Sequence, residues 1–116
     1  MLILYMRLNM LEPDCWVVIK ISTNDEFIYK VIGGWNGGYL QGSSWRMNSG
    51  IVRAELNGEF YSFYGVSGSC YKCHKNSYGL RMSNAGIYQQ LKDAAGDMIE
   101  LLNNTTDWLA LEFTNE

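Results

Sequence analysis

The stretch IVRAELNGEFYSFY, residues 51–64, decides the fold. Two strand-like runs, 51–56 and 59–64, flank Asn57-Gly58, and Asn-Gly supplies the two positive φ angles of a tight type I′ turn. An antiparallel hairpin is therefore predicted. Working outward, Ser67-Gly68-Ser69 reads as a further turn and residues 70–74 as a further short strand. On the other side, residues 15–22 are rich in β-branched and aromatic types, which pack well on a pleated surface. A turn at residues 23–26 then leads into a second strand over 27–32. The economical topology for these pieces is an antiparallel meander.

The pattern changes after residue 82. Ser83 is expected to cap a helix over residues 84–94, whose Ile87, Tyr88, Leu91 and Ala94/Ala95 repeat at helical spacing. Gly86 weakens that helix and Gly96 ends or bends it. Residues 97–102 read as a second short helical turn or a continuation, residues 103–106 as a loop, and residues 108–113 as a closing edge strand. The expected fold is α+β: a mostly antiparallel β-sheet of about five or six strands with one or two C-terminal helices packed on one face. At 116 residues and 13.2 kDa the chain has room for a single domain, 1–116. Residues 1–12 read either as an edge strand or as a poorly ordered extension.

Charge is unevenly spread. Residues 1–29 carry −2, residues 30–92 carry +5, and residues 93–116 carry six acids and no base, for a net charge of −3. The basic middle is either an anion-binding surface or the internal complement of the acidic tail. A protein gripping duplex DNA through its phosphates usually carries net positive charge, which argues against nonspecific DNA binding. The apolar start MLILYM is broken by Arg7, and no run approaches the roughly 20 apolar residues that span a bilayer. No membrane partner is expected. Three cysteines are too few and too odd in number for a secreted disulfide scaffold, so the expected location is cytoplasmic.

Cys70-Tyr71-Lys72-Cys73-His74 spells C-x-x-C-H, the c-type haem attachment pattern. That chemistry needs a helical turn, whereas this segment reads as a strand in which Cys70 and Cys73 point to opposite faces. A zinc site would need Cys15, Cys70, Cys73 and His74 to converge, and adjacent Cys and His rarely reach one metal. Buried thiols acting as small hydrophobes are the simpler reading, and no cofactor is expected. Cys73 and His74 diverge in a strand, and H-E-x-x-H, G-x-S-x-G and phosphate-loop patterns are absent. The expectation is therefore a non-enzymatic protein.

Residues 33–50 hold the sharper chemistry. Glycines at 33, 34, 37 and 38 let backbone N–H groups approach phosphate, aromatics offer stacking faces, and arginine offers a planar fork for phosphate oxygens. The candidate ligand-binding residues are Trp35, Trp45, Arg46, Asn48, Tyr71, His74, Lys75 and Arg81, with Tyr39 and Tyr78 nearby in sequence. In this reading Trp35 and Trp45 stack, Arg46 and Arg81 clamp phosphate, Asn48 reads a base or ribose edge, and His74 or Lys75 adds charge. Taken singly, each aromatic is also an ordinary core residue. Edge strands invite symmetric pairing, so a pocket between two copies, and hence a homo-oligomer, is expected.

Across residues 29–81, the segments Gly33-Gly34-Trp35, Gly37-Gly38-Tyr39, Ser44-Trp45-Arg46, Asn48-Ser49-Gly50, Ser67-Gly68-Ser69 and residues 71–75 resemble a recurrent pattern in small phage proteins. The resemblance implies one of two functional groups. Anti-defence sponges, such as those countering Thoeris, bind cyclic nucleotide signals without degrading them; anti-CRISPR inhibitors cover the surface of a host defence protein. The basic, aromatic middle is similar to what a sponge needs, and the acidic tail is similar to a DNA mimic. No residue role is carried over from either group. The expected function is sequestration of a small anionic nucleotide-like ligand as a phage counter-defence protein; the alternative is a protein–protein inhibitor of a host defence complex acting through the acidic C-terminal face.

Overall fold

The structure, a computed structural model, describes residues 10–37 and 42–113. Residues 1–9 and Tyr39 lie outside them. Among the described residues eight strands form two four-stranded sheets: β1 (Met10–Leu11), β2 (Cys15–Ser22), β3 (Phe27–Trp35), β4 (Ser44–Met47), β5 (Ile51–Asn57), β6 (Phe60–Gly65), β7 (Cys70–His74) and β8 (Ile99–Leu101). Sheet A has the order β1-β7-β6-β5 and sheet B the order β4-β3-β2-β8. The α-helix α1 (Ala85–Ala95) is followed by a 3₁₀ turn at Gly96–Met98. The class is α+β and mostly antiparallel, with more strands than the expected five or six. The pure meander is corrected by β1, which runs parallel to β7 through Met10↔Cys70 and Leu11↔Tyr71.

Strand β2 explains the layering. A strand covered on one face alternates apolar and polar residues, but Cys15–Ile19 is buried without interruption. Its even positions, Trp16 and Val18, enter a core shared with Tyr29 and Val31 of β3, Phe63, Tyr71 and Cys73 of sheet A, and Trp108. Its odd positions, Val17 and Ile19, meet Ile87, Tyr88, Leu91 and Ala95 of α1. The molecule is thus three layers deep: sheet A, sheet B, then the helix. No helix residue is fully buried, so α1 lies on the surface with only its stripe engaged.

Local signals needed four corrections. The β5–β6 loop is Gly58-Glu59, because Asn57 pairs with Phe60. Gly58 has φ +63° and no non-glycine residue has positive φ among the described residues, a pattern of type II′ rather than type I′. Ser83 does not cap α1; it is buried with its Oγ 3.3 Å from the Cys15 thiol, and Asn84 occupies the cap position. Residues 99–101 form the edge strand β8 instead of helix, because Ile99 pairs with Ile21 and fills the apolar layer beneath α1. Residues 108–113 form no strand; Trp108 turns inward to pack on Trp16. The glycine at position 96 ends the helix with φ +56°, as expected.

The β2–β8 ladder is completed by a side chain. The Tyr78 hydroxyl donates to the Leu102 carbonyl at 2.6 Å and accepts the Val18 N–H at 3.1 Å. Burial pushes its pKa from the usual tyrosine value of 10.0 to about 12. The folded state therefore holds this proton more tightly than the unfolded chain, and its stabilising contribution is intact below pH 10 and lost as pH rises toward 12. Chemical denaturation of wild type should show stability falling across that window. Tyr78→Phe should flatten that fall and lower stability at pH 7 by about 1–3 kcal/mol, since it leaves a buried N–H unpaired.

Candidate functional site

The glycine-rich stretch is largely strand. Residues 33 and 34 extend β3, and β4 pairs with it through Ile32↔Met47, Gly33↔Arg46, Gly34↔Trp45 and Trp35↔Ser44. Close approach requires both glycines. A Cβ at Gly34 would lie 2.1 Å from Ser83 Oγ and 2.9 Å from Cys15 Sγ, and one at Gly33 would lie 2.9 Å from Pro13. At these two positions glycine serves packing between layers rather than a phosphate cradle. Residues 38–41 lie outside the described residues.

Strand alternation sorts the candidate residues. Position 35 shares its side of sheet B with Val31 and Gly33, and Arg46 sits directly across from Gly33 on that same side, facing sheet A. The Trp35 ring folds back over Gly33, and its indole Nε1 donates to the Glu12 carbonyl at 3.0 Å. Tyr71 of β7 is buried nearby in the shared core. Burial raises its pKa and the Arg46 guanidinium opposes that rise, which places the cation within electrostatic reach of the phenol. Arg46 is exposed and forms no ion pair among the described residues. Trp35, Arg46 and Tyr71 therefore meet at one end of the sandwich.

The other candidates lie elsewhere. Trp45 pairs with Gly34 and so faces the opposite, helix side of the sheet; it cannot sandwich a base with Trp35 in one chain. Asn48 is buried and spent on architecture: its N–H donates to the Val31 carbonyl at 3.0 Å and its Oδ1 accepts the Val31 N–H at 2.9 Å. Among the described residues its Nδ2 has no hydrogen-bond partner. His74 ends β7 and Lys75 follows it: the His74 ring meets Phe60 edge-on at 5.0 Å and its Nδ1 accepts the Asn76 N–H at 3.1 Å, while Lys75 pairs with Glu59 at 3.7 Å. The Arg81 side chain is exposed in the segment leading to α1, whereas Tyr78 is structural.

The cysteine set does not converge. Cys73 enters the inter-sheet core, Cys70 points to the other face of β7, and Cys15 lies against Ser83 beyond sheet B. Burial raises the pKa of Cys70 and lifts that of Cys73 well above its usual value, which disfavours the thiolate that metals need. Among the described residues, three or more metal-ligating side chains cluster nowhere. The acidic tail is divided too. Glu100 pairs with Lys20, whose parity matches Val18, so it lies across sheet B from Asp93 on α1.

Sequence reasoning missed a cavity of about 350 Å³ at the opposite end of β3. Its walls are Ile21, Ile28, Val52 and Val66 with Phe113, and its polar groups are Thr23 and Glu26. These residues come from separate turns and strands, so no local motif marks them. With a carboxylate among its described lining residues and no cation, the cavity is unsuited to an anion.

The two roles weighed for Asn48 are separable. Asn48→Ala should lower stability by about 1–3 kcal/mol in chemical denaturation, because it leaves the buried Val31 N–H without its acceptor. Any loss of ligand binding should track the unfolded fraction. No family model, curated protein or solved structure matches this chain.

Proposed function

We propose that this protein sequesters a small anionic nucleotide-like ligand, as a phage counter-defence sponge would, at the Trp35 end of the sandwich. The observation that carries the reading is an exposed guanidinium that has no carboxylate partner among the described residues, on the same side of the same sheet end as a half-buried indole. Trp35 offers a ring face for a base, and its anchored Nε1 limits the motion of that ring. Arg46 offers two parallel donors to a phosphate. Tyr71, a phenol within electrostatic reach of Arg46, is a further hydrogen-bond donor at this end. Stacking and charge suffice for holding a ligand, so binding rather than turnover is the activity proposed.

Isothermal titration with cyclic ADP-ribose and a panel of cyclic dinucleotides tests this. At least one should bind, and Arg46→Ala should weaken it by tenfold or more, the order expected for a lost charge-assisted hydrogen bond. Lys75→Ala, just past the end of β7 and paired with Glu59, should bind as wild type does. Equal affinity in a well-folded Arg46→Ala protein, or silence across the whole panel, would refute the reading.

The cavity supports a second reading, binding of a small apolar molecule with a cationic head that meets Glu26. Octylamine should then raise the melting temperature while octanoate does not, and Glu26→Gln should erase the difference. Identical responses to the two would dismiss it.

A further inference from the structure

The outer edge of sheet B is built to pair. Hydrogen bonding in an antiparallel ladder alternates, so each residue turns its N–H and C=O toward one neighbour only. Val31 turns both toward the β4 side, where Asn48 meets them. Gly33 and Trp35 share that phase, so their partners Arg46 and Ser44 use their backbone groups inward. Trp45 and Met47 therefore turn theirs outward, away from β3, and β4 has no strand beyond it among the described residues. This edge also carries Trp45, 44% exposed, on the helix side of the sheet. Proteins usually blunt such an edge with proline, a bulge or a covering loop.

We propose that β4 pairs antiparallel with β4 of a second copy, about a two-fold axis at Trp45, merging the two B sheets into one. The register follows from the phase. With Trp45 opposite Trp45 of the partner subunit, the outward N–H and C=O groups of each satisfy the other, and the two indoles form a direct cross-strand pair. Ser44 then faces Arg46 of the partner subunit. A shift of one residue would instead set the two Arg46 side chains directly opposite, which like charges resist. A shift of two would need pairing through Ser49, beyond the end of β4.

If the protein sequesters a nucleotide as proposed above, the same pairing also completes the ligand site. Trp35, Ser44 and Arg46 of the partner subunit fall in one row across three strands, all facing sheet A. Each indole thus gains a second guanidinium, and the two Arg46 side chains become diagonal neighbours at roughly 7–8 Å between backbones. The ligand class this fits is a nucleotide with two phosphates, held once per dimer.

Native mass spectrometry and light scattering at micromolar concentration should give twice the 13.2 kDa chain mass. Trp45→Lys removes the indole pair, and Met47→Pro removes an outward N–H without touching the β3 ladder. Each should weaken dimerisation at least tenfold with an unchanged circular dichroism spectrum. A wild-type monomer at 100 μM, or a dimer that persists in both folded variants, would overturn the proposal. Cyclic di-AMP should bind one per dimer and more weakly to monomeric Met47→Pro. Undiminished binding by that monomer would remove the shared site while leaving the nucleotide reading intact. A β4-dependent dimer that ignores every nucleotide would uphold the interface and remove the nucleotide reading instead.

Discussion

The indole of Trp16 lies between the two sheets with no exposed surface, against Tyr78 at 4.7 Å, Phe63 at 5.4 Å and Trp108 at 5.5 Å between ring centres. Its Nε1 donates to the His74 carbonyl at 2.7 Å, so one side chain of sheet B is bonded to the last residue of β7 in sheet A. A buried indole needs a partner for its N–H, and here the partner sets how the sheets are placed as well as how far apart they stand. Everything else is arranged around that wedge. The C-terminal segment returns to cover it with Trp108, and the residues after β7 cross beneath it so that Tyr78 can reach Val18 and Leu102.

From this follows the unequal treatment of the two sheets. Sheet B is covered on both faces, by the aromatic core and by α1, and its central strand is correspondingly apolar throughout. Sheet A meets the aromatic core with one face, and among the described residues its other face carries Arg53 over the Tyr64 ring at 4.0 Å and Lys72 over the Phe60 ring at 4.6 Å. Those cations are satisfied by rings on their own surface. Among the described residues Arg46 is neither stacked on a ring in this way nor paired with a carboxylate, and it differs in this from Arg53, Lys72 and Lys75 of the same basic segment.

Much of the scaffold was legible because it depends on local chemistry. The β-branched run at 15–22, the 51–64 hairpin, the helical stripe of Ile87, Tyr88 and Leu91, and the stop at Gly96 all stand close to where the sequence places them. What could not be read locally was set by distant partners. Residues 33 and 34 look like loop glycines until Ser83, Cys15 and Pro13 are seen pressed against them. Ser83 has the chemistry of a cap yet is held under Gly34 by the layer above. At the candidate site the residue types were visible but their sides were not. Trp35 and Trp45 differ by ten positions across a hairpin, and only the ladder register shows that they face opposite ways. Asn48 likewise carries the same amide whether it greets a ligand or finishes a sheet.

The Trp16–His74 bond also bears on how fast the chain can find its fold. The β2–β3 and β5–β6–β7 ladders close over short turns, whereas the indole and its acceptor are 58 residues apart. Joining the two sheets therefore carries the loop-closure entropy of about half the chain, and the parallel β1–β7 contact, Met10 to Cys70, carries a similar one. Contacts of such long range place this protein with the slow, β-rich folders rather than with helical bundles of equal length. Until the two sheets meet, each ladder exposes the aromatic face that the other will cover, so the indole that orders the native core is also a large apolar surface that stays in water while the long loop closes.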